Sequence, residues 1–136
     1  REVAKLHGDM TRLLYSGIKD DEVDELAMKI RELYDEEFLE NNPVDQYLTN
    51  LYSDISYWQE VDRKIENDFV VNENLEENYK KDGKEYATAY ISFTITEKGK
   101  VPEIRRYLMR KDENKKWKIL GWEYINERNI NNTDNK

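Results

Sequence analysis

The chain of 136 residues has no cysteine, two prolines, five glycines and a single histidine. Without cysteine there can be no disulfide, no thiolate metal site and no cysteine nucleophile. That absence suits the cytoplasm and a Gram-positive envelope equally, so it assigns no compartment. No apolar run is long enough to span a bilayer. The sequence also lacks a Gly-rich phosphate loop, a zinc-helix motif and an Asp-x-Asp-x-Asp-Gly calcium loop, and the acidic cluster Asp20, Asp21, Asp24 and Glu25 reads as a solvated helix start. No metal and no cofactor is therefore expected. Any histidine-dependent mechanism would rest on His7. On an amphipathic helix near the chain start it reads as a half-exposed structural side chain, and no Ser–His–Asp set assembles around it.

What is present is an economical core. Hydrophobic and charged residues each make up 38%, and ten tyrosines with three tryptophans must supply much of the buried volume. The length suits one globular domain, expected over residues 1–128, followed by a polar, Asn-rich, frayed tail over 129–136. That tail holds an Asn131-Asn132-Thr133 glycosylation match of little weight. The chain opens on Arg1 rather than methionine, from which an upstream segment such as a signal or anchor is expected.

The net charge of −8 is unevenly spread: residues 1–67 carry −9 and residues 68–136 carry +1. Between Glu103 and Lys118 basic residues dominate, and Arg105, Arg106, Arg110 and Lys111 form a candidate basic patch. It is either neutralised within the molecule or a ledge for an anionic partner. Nucleic acid is not that partner, because the overall field repels phosphate and no recognition motif accompanies the patch.

Apolar residues at helical spacing (Val3, Leu6, Met10, Leu13, Leu14) predict a helix over Arg1–Ser16, weakened by Gly8 and ended by Gly17. Asp20 or Asp21 caps a second helix with a stripe from Val23 through Ile30 and Tyr34 to Phe38. Asn42 as N-cap and Pro43 at the first turn open a third, running to about Ile65 with Tyr47, Leu48, Leu51, Tyr52, Ile55 and Trp58 on one face. From Asp68 the period falls to two. A first strand runs from Phe69 toward Tyr79, Asp82-Gly83 makes a hairpin, and the next strand puts Ala87, Ala89, Ile91, Phe93 and Ile95 on the face that meets the helices. Strands over Ile104–Lys111 and Trp117–Ile125 complete a meander. In the last, Leu120, Trp122 and Tyr124 either oppose Ile119 or cross to its face at a bulge near Gly121. The expectation is an α+β fold: three N-terminal helices packed on a curved antiparallel sheet of about four strands.

The turn Lys81-Asp82-Gly83-Lys84, the strand Glu85–Thr96 and the run Leu108–Gly121, with its Asp112-Glu113-Asn114-Lys115-Lys116-Trp117-Lys118-Ile119, resemble the nuclear-transport-factor-2-like superfamily, the cystatin-like cone also seen in SnoaL-like proteins. In this chain Asn114 stands where glycine is frequent. The resemblance implies helices on the concave side of the sheet, able to enclose a pocket. The segment Ile30–Pro43 is similar to a group of uncharacterised extracytoplasmic proteins of Gram-positive Clostridia, often preceded by a lipoprotein-type or secretory signal. That similarity implies an envelope or extracellular location.

One constellation carries a functional expectation. Tyr47, Tyr52 and Trp58 on the third helix, with Tyr90, Tyr107 and Trp122 on strands, either fill the core or line a cone mouth suited to a small apolar or peptide ligand. The leading expectation is a non-enzymatic ligand-binding or protein-interaction domain. A SnoaL-like or ketosteroid-isomerase-like enzyme, with a pocket tyrosine and a buried carboxylate as acid and base, is the alternative. A structural homodimer through the Tyr/Thr face of Tyr86–Thr96 is a third.

Overall fold

A computed structural model describes residues 1–71, 73–97 and 99–125. The tail expected over 129–136, with its glycosylation match, lies outside them. The fold is α+β, with four helices followed by a five-stranded antiparallel sheet. The helices are α1 (Glu2–Leu14), α2 (Asp20–Arg31), α3 (Glu36–Asn41) and α4 (Val44–Glu60). The strands are β1 (Lys64–Val70), β2 (Asn78–Lys81), β3 (Lys84–Thr96), β4 (Lys100–Lys111) and β5 (Trp117–Ile125). Their order is β1-β3-β4-β5, and β2 pairs with the start of the same β3 edge that β1 occupies further along.

These counts exceed the expected three helices and about four strands, for two reasons. The stripe expected to carry α2 to Phe38 breaks after Arg31, because Leu33–Asp35 bond to the free edge of β5. Ile119 donates its N–H to Leu33 O at 2.8 Å, and Asp35 donates to Ile119 O at 2.8 Å. Asp35 then caps the short α3 by accepting from Glu37 N at 3.0 Å. The strand expected from Phe69 to Tyr79 is likewise two strands, separated by a 3-10 turn over Glu73–Leu75. Helix α4 ends at Glu60, five residues short of Ile65, after which Asp62 takes a positive φ of 54° and the chain enters β1. Pro43 is the N-cap rather than the first helical residue.

Local turn chemistry holds where it was strongest. Asp82 and Gly83 both have positive φ (52° and 79°), as a two-residue hairpin requires. In the β4–β5 turn it is Lys115, not Asn114, that takes positive φ (61°), while Asp112 accepts from the N–H groups of Asn114 and Lys116. A bulge interrupts β4–β5 pairing between Leu108 and Met109, opposite Leu120-Gly121. It puts Trp122, opposite Tyr107, on the same face as Ile119, opposite Met109.

The core lies between the helices and one face of the sheet: Ala87, Ala89, Ile91, Phe93 and Ile95 of β3, Tyr107 and Met109 of β4, and Ile119 of β5. Burying a side chain such as Phe93 or Met109 contributes roughly 2–3 kcal/mol. Helix α1 meets this face differently from its apolar stripe. Leu6 and Leu13 are exposed, and the buried face is Ala4, His7, Gly8, Thr11 and Leu14. Small residues let the helix approach closely: a Cβ on Gly8 would lie 3.1 Å from Ile91 Cγ2. Lys5 and Arg12 flank the approach and donate to the buried Asp68 carboxylate at 2.6 and 2.7 Å, fastening α1 to β1.

Candidate functional site

The polar residues on the buried face of α1 point at the middle of β4. His7 is 3% exposed. Its Nδ1 lies 2.8 Å from the Tyr107 hydroxyl and its Nε2 lies 2.7 Å from the Tyr34 hydroxyl. Both phenol rings stand edge-on to the imidazole. One turn along, Thr11 donates to the His7 carbonyl at 2.8 Å and its oxygen sits 3.3 Å from Nδ1. Burial, and then the nearby Arg105 cation, push His7 down to about 3, so the ring is neutral at ordinary pH.

A neutral imidazole donates at one nitrogen and accepts at the other. One tyrosine therefore gives its proton to the ring, and the other receives one and keeps its own O–H for a further acceptor. Tyr107 is fully enclosed, pushed up by burial to about 12, with the Arg105 cation beside its oxygen. Its O–H is best directed to Nδ1, leaving its lone pairs to Arg105. In that tautomer the ring donates from Nε2 to Tyr34, whose O–H is then free to face outward.

Outward lies a cavity of about 390 Å³, bounded by α1, α2, α4 and the helix-facing side of β4 and β5. His7, Tyr34, Arg105 and Trp122 form its floor, and Tyr15, Tyr47, Asn50, Leu51 and Asp54 reach its walls and mouth. Asn50 and Asp54 are exposed, and Tyr15 donates to Asp54 Oδ2 at 2.5 Å. Burial first, and then this carboxylate, raise the Tyr15 phenol well above its ordinary value. Arg31 holds the rim. Its Nη1 donates to Asn42 O at 2.8 Å and its guanidinium lies 4.9 Å from the Tyr47 ring centroid.

Arg105 is the unusual member of the floor. It is 5% exposed, and its guanidinium lies 3.6 Å from the Trp122 centroid and 4.7 Å from that of Phe93. Its Nη2 donates to the Tyr124 hydroxyl at 3.0 Å, the Tyr107 hydroxyl lies beside it, and its buried Nε has no acceptor among the described residues. Among the described residues no carboxylate pairs with it.

Of the six aromatic residues singled out in the sequence, the structure brings three together here. Tyr47 and Trp122 line the cavity, and Tyr107 lies beneath its floor. Trp58 is buried behind it, between Tyr15 and the Arg63 guanidinium. Tyr52 sits outside, donating to Asp24 at 2.6 Å. Tyr90 lies on the opposite face of the sheet, packed with Leu75 and Ile104. The four basic residues form no common ledge. Arg105 is inside, Arg106 pairs with Glu123, Arg110 binds Asp35 through two bonds of 2.6 and 3.2 Å, and Lys111 pairs with Glu85 at 3.0 Å. Linear charge counting grouped them, whereas strand alternation separates them. Arg105 shares parity with Tyr107 and Met109, and that signal was present in the sequence. His7, Tyr34, Tyr15 and Asp54 were not anticipated as site residues. The His7 contacts span 27 and 100 positions, beyond any local pattern.

Among the described residues no group of three or more potential metal ligands converges, and no helix is long and apolar enough to cross a membrane. Residues 1–122 match the family model described as a domain of unknown function (DUF6715), and the chain belongs to that family. No curated protein and no solved structure matches it.

Proposed function

We propose that this domain is a non-enzymatic binding module that receives a small organic ligand in the cavity floored by His7, Tyr34, Arg105 and Trp122, on a nuclear-transport-factor-2-like cone. The observation that carries the reading is the cavity itself: an open cleft of about 390 Å³ with Tyr15, Tyr47 and Trp122 in its lining and the polar His7, Tyr34 and Arg105 at its floor. This volume falls near the lower end of the range of roughly 300–1,000 Å³ typical of ligand sites, and a few convergent polar groups in an aromatic frame are their usual chemistry. The order of four helices followed by an antiparallel sheet supports the cone. The resemblance of Ile30–Pro43 supports a cell-envelope or extracellular setting, which fractionation of the native protein would check.

Binding is favoured over acid–base catalysis because no floor group titrates near neutrality. His7 is pushed to about 3, Tyr107 to about 12, and Tyr34 upward by burial. The carboxylate nearest a cavity tyrosine, Asp54, is on the exposed rim rather than buried. A face-to-face dimer through Tyr86–Thr96 would have to rest on Tyr86, Thr88, Thr94 and Thr96, since Tyr90 and Ser92 are already buried.

A ¹⁵N-labelled sample screened with a fragment library tests the reading. Hits are expected to shift the Trp122 indole N–H, and Leu51→Trp, which fills the cavity from α4, is expected to abolish them. Hits that bind the Leu51→Trp protein unchanged would place the site elsewhere.

A further inference from the structure

We propose that the ligand is a small monocarboxylate with an aromatic or apolar body, its carboxylate received by the Arg105 guanidinium and the Tyr34 hydroxyl, and its body laid against Tyr47, Leu51 and Trp122. The proposal rests on the cavity reading above and names the chemistry of its occupant.

Arg105 is a buried cation with no counter-ion among the described residues. Taking a guanidinium out of water costs several kcal/mol unless an anion or a full set of acceptors replaces the water. Two partly buried arginines meet that rule with an anion: Arg110 has Asp35 and Arg63 has Glu103. Arg31, at the rim, donates to the Asn42 carbonyl and lies over the Tyr47 ring. Arg105 has the phenol oxygens of Tyr124 and Tyr107 and the faces of aromatic rings, but no anion among the described residues. Those faces favour a cation, but they leave its Nε–H without an acceptor. A guanidinium fork matches a carboxylate's two oxygens, so an anionic ligand would complete what the protein leaves open.

The charge and the shape narrow the class. Among the lining residues Arg105 is the one cation, since His7 is neutral, and the Asp54 carboxylate stays at the exposed mouth on Tyr15. A single positive charge balances a monoanion, whereas a phosphate monoester would bring a second negative charge that no second lining cation offsets. In the His7 tautomer with its N–H on Nε2, Tyr34 keeps its O–H as a second donor to the same floor. Tyr47, Leu51 and Trp122 offer a phenol, a leucine and an indole for an apolar body, while the polar Asn50 and Asp54 stay at the exposed mouth.

The test uses benzoate, phenylacetate and 3-phenylpropionate, each beside its primary amide, titrated into ¹⁵N-labelled protein at pH 7. The acids are expected to shift both the Trp122 indole N–H and the Arg105 Nε–H. The amides are expected to shift the indole alone and to bind at least about tenfold more weakly, the lower bound for losing a charge-assisted hydrogen bond. Arg105→Met is expected to erase the acid preference while amide binding persists, and Tyr34→Phe to weaken the acids about three- to tenfold. Equal affinity for acids and amides, or a preference that survives Arg105→Met, overturns the carboxylate assignment and leaves the cavity reading standing. Absence of any indole shift across the panel, with a native spectrum, overturns both.

Discussion

The Arg105 guanidinium lies 3.6 Å above the Trp122 ring, and the two come from neighbouring strands whose facing pairs are Arg105–Tyr124 and Tyr107–Trp122. This diagonal contact depends on the bulge opposite Gly121. Without it Trp122 would fall on the other face of the sheet. A buried cation resting on an indole is a specific arrangement but an incomplete one, because its Nε has no acceptor.

Its stability consequence separates a binding role from a structural one. Replacing a buried charge by an apolar side chain of similar length is often neutral or stabilising. Arg105→Met gives up cation–π contacts worth about 2 kcal/mol or less and removes a desolvation cost of similar or larger size. Urea melts of the unliganded protein should therefore show stability unchanged or raised by up to about 2 kcal/mol. A loss of more than about 1 kcal/mol would make Arg105 a structural residue.

His7 predicts a pH dependence with a defined sign. Its folded value, about 3, lies below the ordinary 6.5, so the unfolded chain takes up a proton first as pH falls. The contribution of neutral His7 is complete above about pH 6.5 and declines from there toward pH 3. Its limiting slope is about a tenfold change in the folding constant per pH unit. His7→Gln, which keeps a donor and an acceptor on one side chain, should be less stable at pH 7 yet flatter between pH 6.5 and 4. Parallel stability curves for the two proteins would show that His7 is not held neutral.

Gly8 reverses a common rule. In the middle of an exposed helix, glycine to alanine stabilises by about 1 kcal/mol. Here the new methyl would sit 3.1 Å from Ile91 Cγ2 and 3.3 Å from Asp68 Oδ2, so α1 must lift from β3 or the carboxylate must shift away from Lys5 and Arg12. Overpacking of this kind costs about 1–3 kcal/mol. A net loss of up to about 2 kcal/mol on thermal or chemical melting is the expected outcome, and a gain would show that α1 has room to move.

The elements whose signals are local were legible in the sequence. Asp82-Gly83 specified its hairpin, the alternation of β3 identified its buried face, and Gly121 marked the bulge. The face of α1 was not, because hydrophobicity favours Leu6 and Leu13, whereas close approach favours Ala4 and Gly8 and hydrogen bonding retains His7 and Thr11 inside. The end of α2 was missed for a related reason. Leu33–Asp35 continue a helical stripe in sequence, and only the unpaired edge of β5 pulls them out of it. The site depends on both of these non-local events, since one delivers His7 and the other delivers Tyr34.

Asp35 joins that second event to the sheet, and its removal should be the costliest of these changes. Its carboxylate caps α3 through Glu37 N, takes two bonds from Arg110 and is almost fully buried. Burial alone would raise its pKa. The Arg110 hydrogen bond and then the Glu37 N–H outweigh burial and hold it below the usual carboxylate range. Losing the cap costs about 1 kcal/mol, and leaving Arg110 partly buried without its anion adds about 2 more. Asp35→Ala should therefore lose about 3 kcal/mol. Asp35→Asn keeps an acceptor for the cap and should lose about half of that. Because the folded pKa is depressed, the ion-pair contribution is present above the unfolded value near 4 and disappears as pH falls through the folded one. The stability of the Asn variant should thus converge on that of the native protein below about pH 4. In an Asp35→Ala, Arg110→Met cycle the coupling should be about 2 kcal/mol. A coupling below about 0.5 kcal/mol would reduce the pair to a surface contact and leave the β5 bridge, rather than the charge, as what holds Tyr34 over the cavity.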